Sequence, residues 1–155
     1  MFNIRYLDDF EYSQMSRNVY GTFYVECEGE FFPDSQWTDF PIIVLRMWCE
    51  NIIASITNAR ESEFQLYFFD GPFSIECKKE LDKVKMKFWD RRKEKVCIET
   101  AIDIWELVCS VYKTSTELLD KLKVTISFPI NDEEQLRRLL EKLKEFNNVL
   151  QKGKG

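Results

Sequence analysis

The side chains with chemistry to offer are 27 Asp and Glu, 22 Lys and Arg, and five cysteines, while histidine is missing from all 155 positions. Imidazole is the usual base beside a Ser or Cys nucleophile and the commonest transition-metal ligand. Its absence excludes Ser-His, Cys-His and His-metal chemistry. Cys27, Cys49, Cys77, Cys97 and Cys109 are widely spaced, with no C-x-x-C pair to open a zinc or redox site. Their odd number, the length of the chain and the lack of a cationic, apolar leader point to buried free thiols in a reducing cytoplasm. No apolar run reaches the ~18 residues of a membrane span.

Carboxylates in pairs suit glycoside hydrolysis when they stand about 5 to 9.5 Å apart across a cleft. Here Asp8, Asp34, Asp39 and Asp70 each occupy a turn or cap position that accounts for them without catalysis. No D-x-[DN]-x-[DN]-G loop is present for a cation. Gly21, Gly29 and Gly71 stand singly, so neither G-x-G-x-x-G nor G-x-x-x-x-G-K-[ST] occurs. The expectation is a protein without catalytic, cofactor-binding or metal-binding residues.

One arrangement does suggest a task. Over residues 19–32, Phe23, Val25 and Cys27 alternate with Tyr20, Thr22, Tyr24, Glu26, Glu28 and Glu30, the period of a strand with one wet face. Strand rise would place neighbours in that outward row roughly 7 Å apart. A line of carboxylates at this spacing suits an Arg- or Lys-rich groove on a partner, with Tyr24 and Trp37 as aromatic anchors. The expected partner-binding set is Tyr24, Glu26, Glu28, Glu30, Asp34, Trp37 and Asp39. The same row also reads as a solubilising face that keeps an exposed strand from pairing.

Charge is distributed to match. Residues 1–77 hold 4 basic and 13 acidic side chains, residues 78–155 hold 18 and 14, and 17 of the 23 aromatics lie in the first half. An acidic, aromatic-rich half disfavours nucleic acid and favours a basic protein. The lysines and arginines between Lys83 and Lys95 surround Phe88 and Trp89, but Asp82, Asp90 and Glu94 dilute them, which describes a solvated hairpin.

The elements that must position these residues follow from periodicity. Residues 2–7 (FNIRYL) read as a strand, and residues 8–18 as a polar connection. Residues 41–57 read as a helix capped by Thr38 or Asp39, with Pro41 in its first turn, although Ile42-Ile43-Val44 is also strand-like. Residues 64–69, 73–79, 84–89 and 95–100 read as four strands of an antiparallel meander. Helical spacing resumes over 101–112 and through Leu118, Leu119 and Leu122, and residues 124–128 read as an edge strand. A capping-box pattern at Asn131 to Glu134 opens an amphipathic helix over 132–150, and residues 151–155 should fray. Leu136, Leu143 and Leu150 lie seven apart, but two heptads are fewer than a coiled coil needs, so a monomer or weak homodimer is expected. The sum is one α+β domain over residues 1–150, an antiparallel sheet of five to six strands covered by two or three helices.

Trp37-Thr38-Asp39-Phe40 leading into Ile43, Leu45 and Trp48, followed by Phe68-Phe69-Asp70-Gly71-Pro72-Phe73, resembles small uncharacterised bacterial cytoplasmic proteins of the immunity-protein type. The resemblance spans about residues 1–110 and carries over no individual binding residue. It implies an inhibitor with no catalytic residues, which neutralises a toxin domain, often a nuclease, by one-to-one binding. A second expectation is a small-ligand or homo-oligomeric assembly module, with Trp37, Phe69, Phe73 and Trp89 lining a pocket or a dimer face. An exposed apolar patch would mark it.

Overall fold

The computed structural model describes residues 1–58 and 61–154. The side chains of residues 61, 147 and 149–154 lie outside that description, and with them the expected place of Leu150 on the last helix. The chain is α+β; the described residues form nine strands in two antiparallel sheets and three helices. The first sheet is built on β3 (Asn18–Cys27), which pairs with β1 (Phe2–Tyr6), β2 (Glu11–Ser13), β4 (Glu30–Phe32) and β5 (Thr38–Asp39). The second is the expected meander, β6 (Glu61–Tyr67), β7 (Phe73–Glu80), β8 (Lys83–Asp90) and β9 (Lys95–Asp103), in that order. The strands exceed the expected five to six because β2, β4 and β5 are too short to have a period of their own and exist through pairing with β3.

In the meander, Leu66, Ile75, Phe88 and Ile98 lie opposite one another in register and form a buried ladder across all four strands. On the other face Gln65, Glu76, Lys87 and Glu99 form a matching row of polar side chains. That row explains the lysines of this region as one solvated side of a sheet with mixed charge.

Helix α1 (Pro41–Thr57) begins with Pro41 at its first position and buries Ile42, Val44, Leu45, Trp48, Cys49 and Ile52. Thr38 and Asp39 belong to β5 instead of capping this helix; Phe40 is the N-cap and makes no side-chain cap bond. Trp48 packs on Phe23 of the first sheet (ring centroids 6.1 Å apart) and edge-on to Phe68 (5.5 Å). Its indole Nε1 donates to the Tyr67 carbonyl at 2.7 Å, and Asn51 Nδ2 donates to the Gln65 carbonyl at 2.8 Å. Two helix side chains thereby satisfy outward carbonyls of edge strand β6, which would otherwise invite another strand.

Helix α2 (Ile104–Thr125) starts three residues later than its spacing suggests. Ile102, paired with Val84, is drawn into the sheet, and Asp103 then caps the helix by accepting from the Trp105 amide at 2.9 Å. At the other end α2 absorbs Val124 and Thr125, so the expected strand over 124–128 does not form. Leu118, Leu119 and Leu122 are buried along one stripe, and their packing outweighs the strand preference of a β-branched pair. Helix α3 (Glu133–Lys154) buries Leu136, Leu140 and Leu143 and runs past the expected end at 150.

A polar junction locks these layers together. Arg46 of α1 forms ion pairs with Glu50 (3.0 Å) and with Asp132 (2.9 Å), just before α3. Fully buried Asn18 donates to the Asn131 carbonyl, and the Tyr12 hydroxyl donates to the Pro129 carbonyl. All five cysteines are free thiols as expected, but only Cys27, Cys49 and Cys77 are buried, while Cys97 and Cys109 are exposed.

Candidate protein-binding face

The outward side of the first sheet carries Tyr20, Thr22, Tyr24 and Glu26 of β3, as the alternation requires. The row then breaks. Cys27 pairs with Glu30 across a two-residue turn in which Glu28 (φ 52°) and Gly29 (φ 76°) are both left-handed, the geometry that joins two twisted antiparallel strands most tightly. The chain reverses there, so residues 19–32 are a hairpin and the three glutamates do not form one line. Glu26 faces outward opposite Phe31, whereas Glu30 takes the face of its partner Cys27. Glu28 sits at the tip, accepting from the Thr100 hydroxyl at 2.9 Å and lying 3.6 Å from the terminal ammonium.

The reversal brings in a residue that the alternating pattern had left out. Phe31 is 49% exposed and meets Tyr24 edge-on, with ring centroids 5.6 Å apart and planes at 86°. Aromatic pairs favour this arrangement. Its signal in the sequence is the Glu28-Gly29 dipeptide, a weaker hairpin mark than Asn-Gly because Glu resists a positive φ.

Around this pair the acids are tethered. Arg5 of β1, directly opposite Tyr24, holds Glu26 at 3.0 Å. Asp9 accepts from the amide and hydroxyl of Thr22, and Glu11 accepts from the Tyr20 hydroxyl at 2.8 Å. That hydrogen bond, with the carboxylate charge behind it, raises the Tyr20 pKa above its ordinary value. Asp34 accepts from the Gln36 amide at 2.8 Å, the geometry of a local turn, and its residue stays exposed.

Two members of the expected set are tied into the fold, Asp39 fully and Trp37 in part. Asp39 is fully buried; it accepts from Trp37 Nε1 (2.8 Å) and the Phe40 amide (2.7 Å), with the Asp70 amide at 3.4 Å. Burial pushes its pKa up, and those donors oppose the shift. Trp37 spends its indole N–H on that carboxylate and packs edge-on to Phe73 at 5.0 Å. Both residues join the first sheet to the β6–β7 connection. Of the alternative set, Trp37 and Phe73 meet, but Phe69 packs on Phe40 and Trp89 lies under the Arg91 guanidinium.

The thiols add no nucleophile to the core. Burial raises the pKa of Cys27 to about 11 and of Cys49 to about 12, and that of Cys77 further still. Among the described residues, no three His, Cys, Asp or Glu side chains are grouped to hold a metal ion, and no helix is long and apolar enough to cross a membrane. Comparison with family models, curated proteins and solved structures finds no match to this chain.

Proposed function

We propose that this chain is a non-enzymatic protein-binding module, an inhibitor of the immunity-protein type that covers a basic site on a partner such as a toxin domain. The observation that carries the reading is the Tyr24–Phe31 pair, a half-exposed aromatic step on a sheet face with Glu26 beside it and Glu28 and Glu30 in the adjoining turn and strand. Aromatic side chains at the centre of an interface supply most of its energy, and charges around them set partner choice and association rate. Residues 1–39, which contain the whole first sheet, hold two basic side chains against eight acidic ones. The free thiols suit a reducing cytoplasm. The binding set is therefore Tyr24, Glu26, Glu28, Phe31 and Asp34, and Glu30, on the Cys27 side of the hairpin, lies outside it. The reading is tested by Tyr24→Lys with Phe31→Lys and by measuring retention of a basic partner. Loss of the partner from a folded variant supports it, and undiminished retention overturns it.

A further inference from the structure

The connection after β1 and the last two turns of α2 enclose an open cavity of about 520 Å³. Its volume falls within the range of natural ligand pockets, and Phe10, Leu118, Leu122 and Val124 give it an apolar lining. Phe10 is seated by Gly21: a Cβ there would come within 2.5 Å of the Phe10 ring, so the glycine lets the ring lie against β3 and form one wall. Val124, at 86% exposure, stands at the mouth with no protein cover.

The charges around the cavity select its occupant. Asp8, Asp120 and Lys121 line it, and Lys121 is already answered, since its ammonium donates to Asp8 at 3.2 Å and lies over the Tyr6 ring. That bond raises the Lys121 pKa. Asp120 remains, together with the C-terminal end of α2, whose last carbonyls carry partial negative charge. Lys123, the basic residue of that last turn, is not in the lining. The cavity is thus apolar inside and negative at its edge.

We propose that this groove receives an apolar side chain of the protein partner that is flanked by lysine or arginine, making it an anchor pocket between the connection after β1 and the end of α2. The proposal rests on the protein-binding reading above and assigns it a second contact. Buried anchors in preformed pockets are where interface energy concentrates.

The test uses the full-length, ¹⁵N-labelled protein and two end-blocked tetrapeptides, Lys-Leu-Phe-Lys and Glu-Leu-Phe-Glu. The expected result is amide shifts concentrated at residues 7–10 and 118–126, with the basic peptide bound about fivefold more tightly, the span of one exposed charge pair. Val124→Arg, at a position too exposed to affect folding, should abolish those shifts, and Asp120→Lys should remove the preference for the basic peptide. Equal or tighter binding of the acidic peptide, shifts centred elsewhere, or no shifts at millimolar peptide would each overturn the proposal. Tyr24→Lys with Phe31→Lys, on the sheet face, should leave peptide binding to the groove unchanged. Failure of the groove is therefore read separately from failure of the sheet face.

Discussion

The Glu28 carboxylate, at the tip of the β3–β4 turn, accepts from the Thr100 hydroxyl of β9 at 2.9 Å, tying the first sheet to an edge strand of the second. The contact joins the second sheet to the hairpin that carries Tyr24 and Phe31. The glutamate does this from a left-handed backbone that favours glycine, with Gly29 beside it in the same conformation.

Gly29→Ala should lower stability by about 1 to 2 kcal/mol, although nothing lies within 4 Å of the added methyl group. The cost comes from backbone conformation alone. Glu28→Gly should be close to neutral, since relief of strain offsets an exposed hydrogen bond. Denaturant titration of both variants checks the pair.

Trp48→Phe keeps an aromatic ring in the core but leaves the Tyr67 carbonyl without its 2.7 Å donor. The expected loss is about 1 to 3 kcal/mol. Trp48→Ala should lose about 3 to 5 kcal/mol. A Phe variant as stable as the parent would show that the edge-capping bond adds nothing.

Asp39 binds its proton more tightly in the folded chain than in the unfolded one, because burial raises its pKa above 3.8. Its contribution to stability is therefore fully present below that value and lost as pH rises through the folded midpoint. Carboxyl NMR should give Asp39 a midpoint above the ordinary aspartate range. The stability of the parent relative to Asp39→Asn should shrink over the same window.

Cys97 and Cys109 are exposed, whereas Cys27, Cys49 and Cys77 are buried with pKa values driven upward. A thiol reagent at neutral pH should modify two sulfurs quickly and the other three only after unfolding. Rapid reaction of all five would contradict this packing.

Where a residue's surroundings are local, the sequence was a sufficient guide. Val84, Met86 and Phe88 alternate with lysines, and the C-terminal leucines repeat at helical spacing; both elements are present, with Val84, Met86 and Phe88 buried in the one and Leu136, Leu140 and Leu143 in the other. Long-range pairing decided the rest. β2, β4 and β5 have two or three residues each and take their structure from β3, and Ile102 is held in a sheet by Val84. The candidate face suffered most, because a Glu-Gly turn with two left-handed residues looks like continued alternation when only hydrophobicity is read. Asp39 was misplaced for a related reason: one of the donors around its buried carboxylate lies 31 residues away at Asp70.

The central claim concerns the aromatic step at Tyr24 and Phe31, and capture from lysate of the source cells tests it most directly. The full-length protein and its Tyr24→Lys, Phe31→Lys double variant would serve as baits, with washes at low and then moderate salt. Circular dichroism would first establish that the variant is folded. The account predicts one basic protein recovered in roughly equal amount by the parent, weakened by salt and absent from the variant. Recovery of the same protein by both baits, or of no basic protein by the parent, would contradict it.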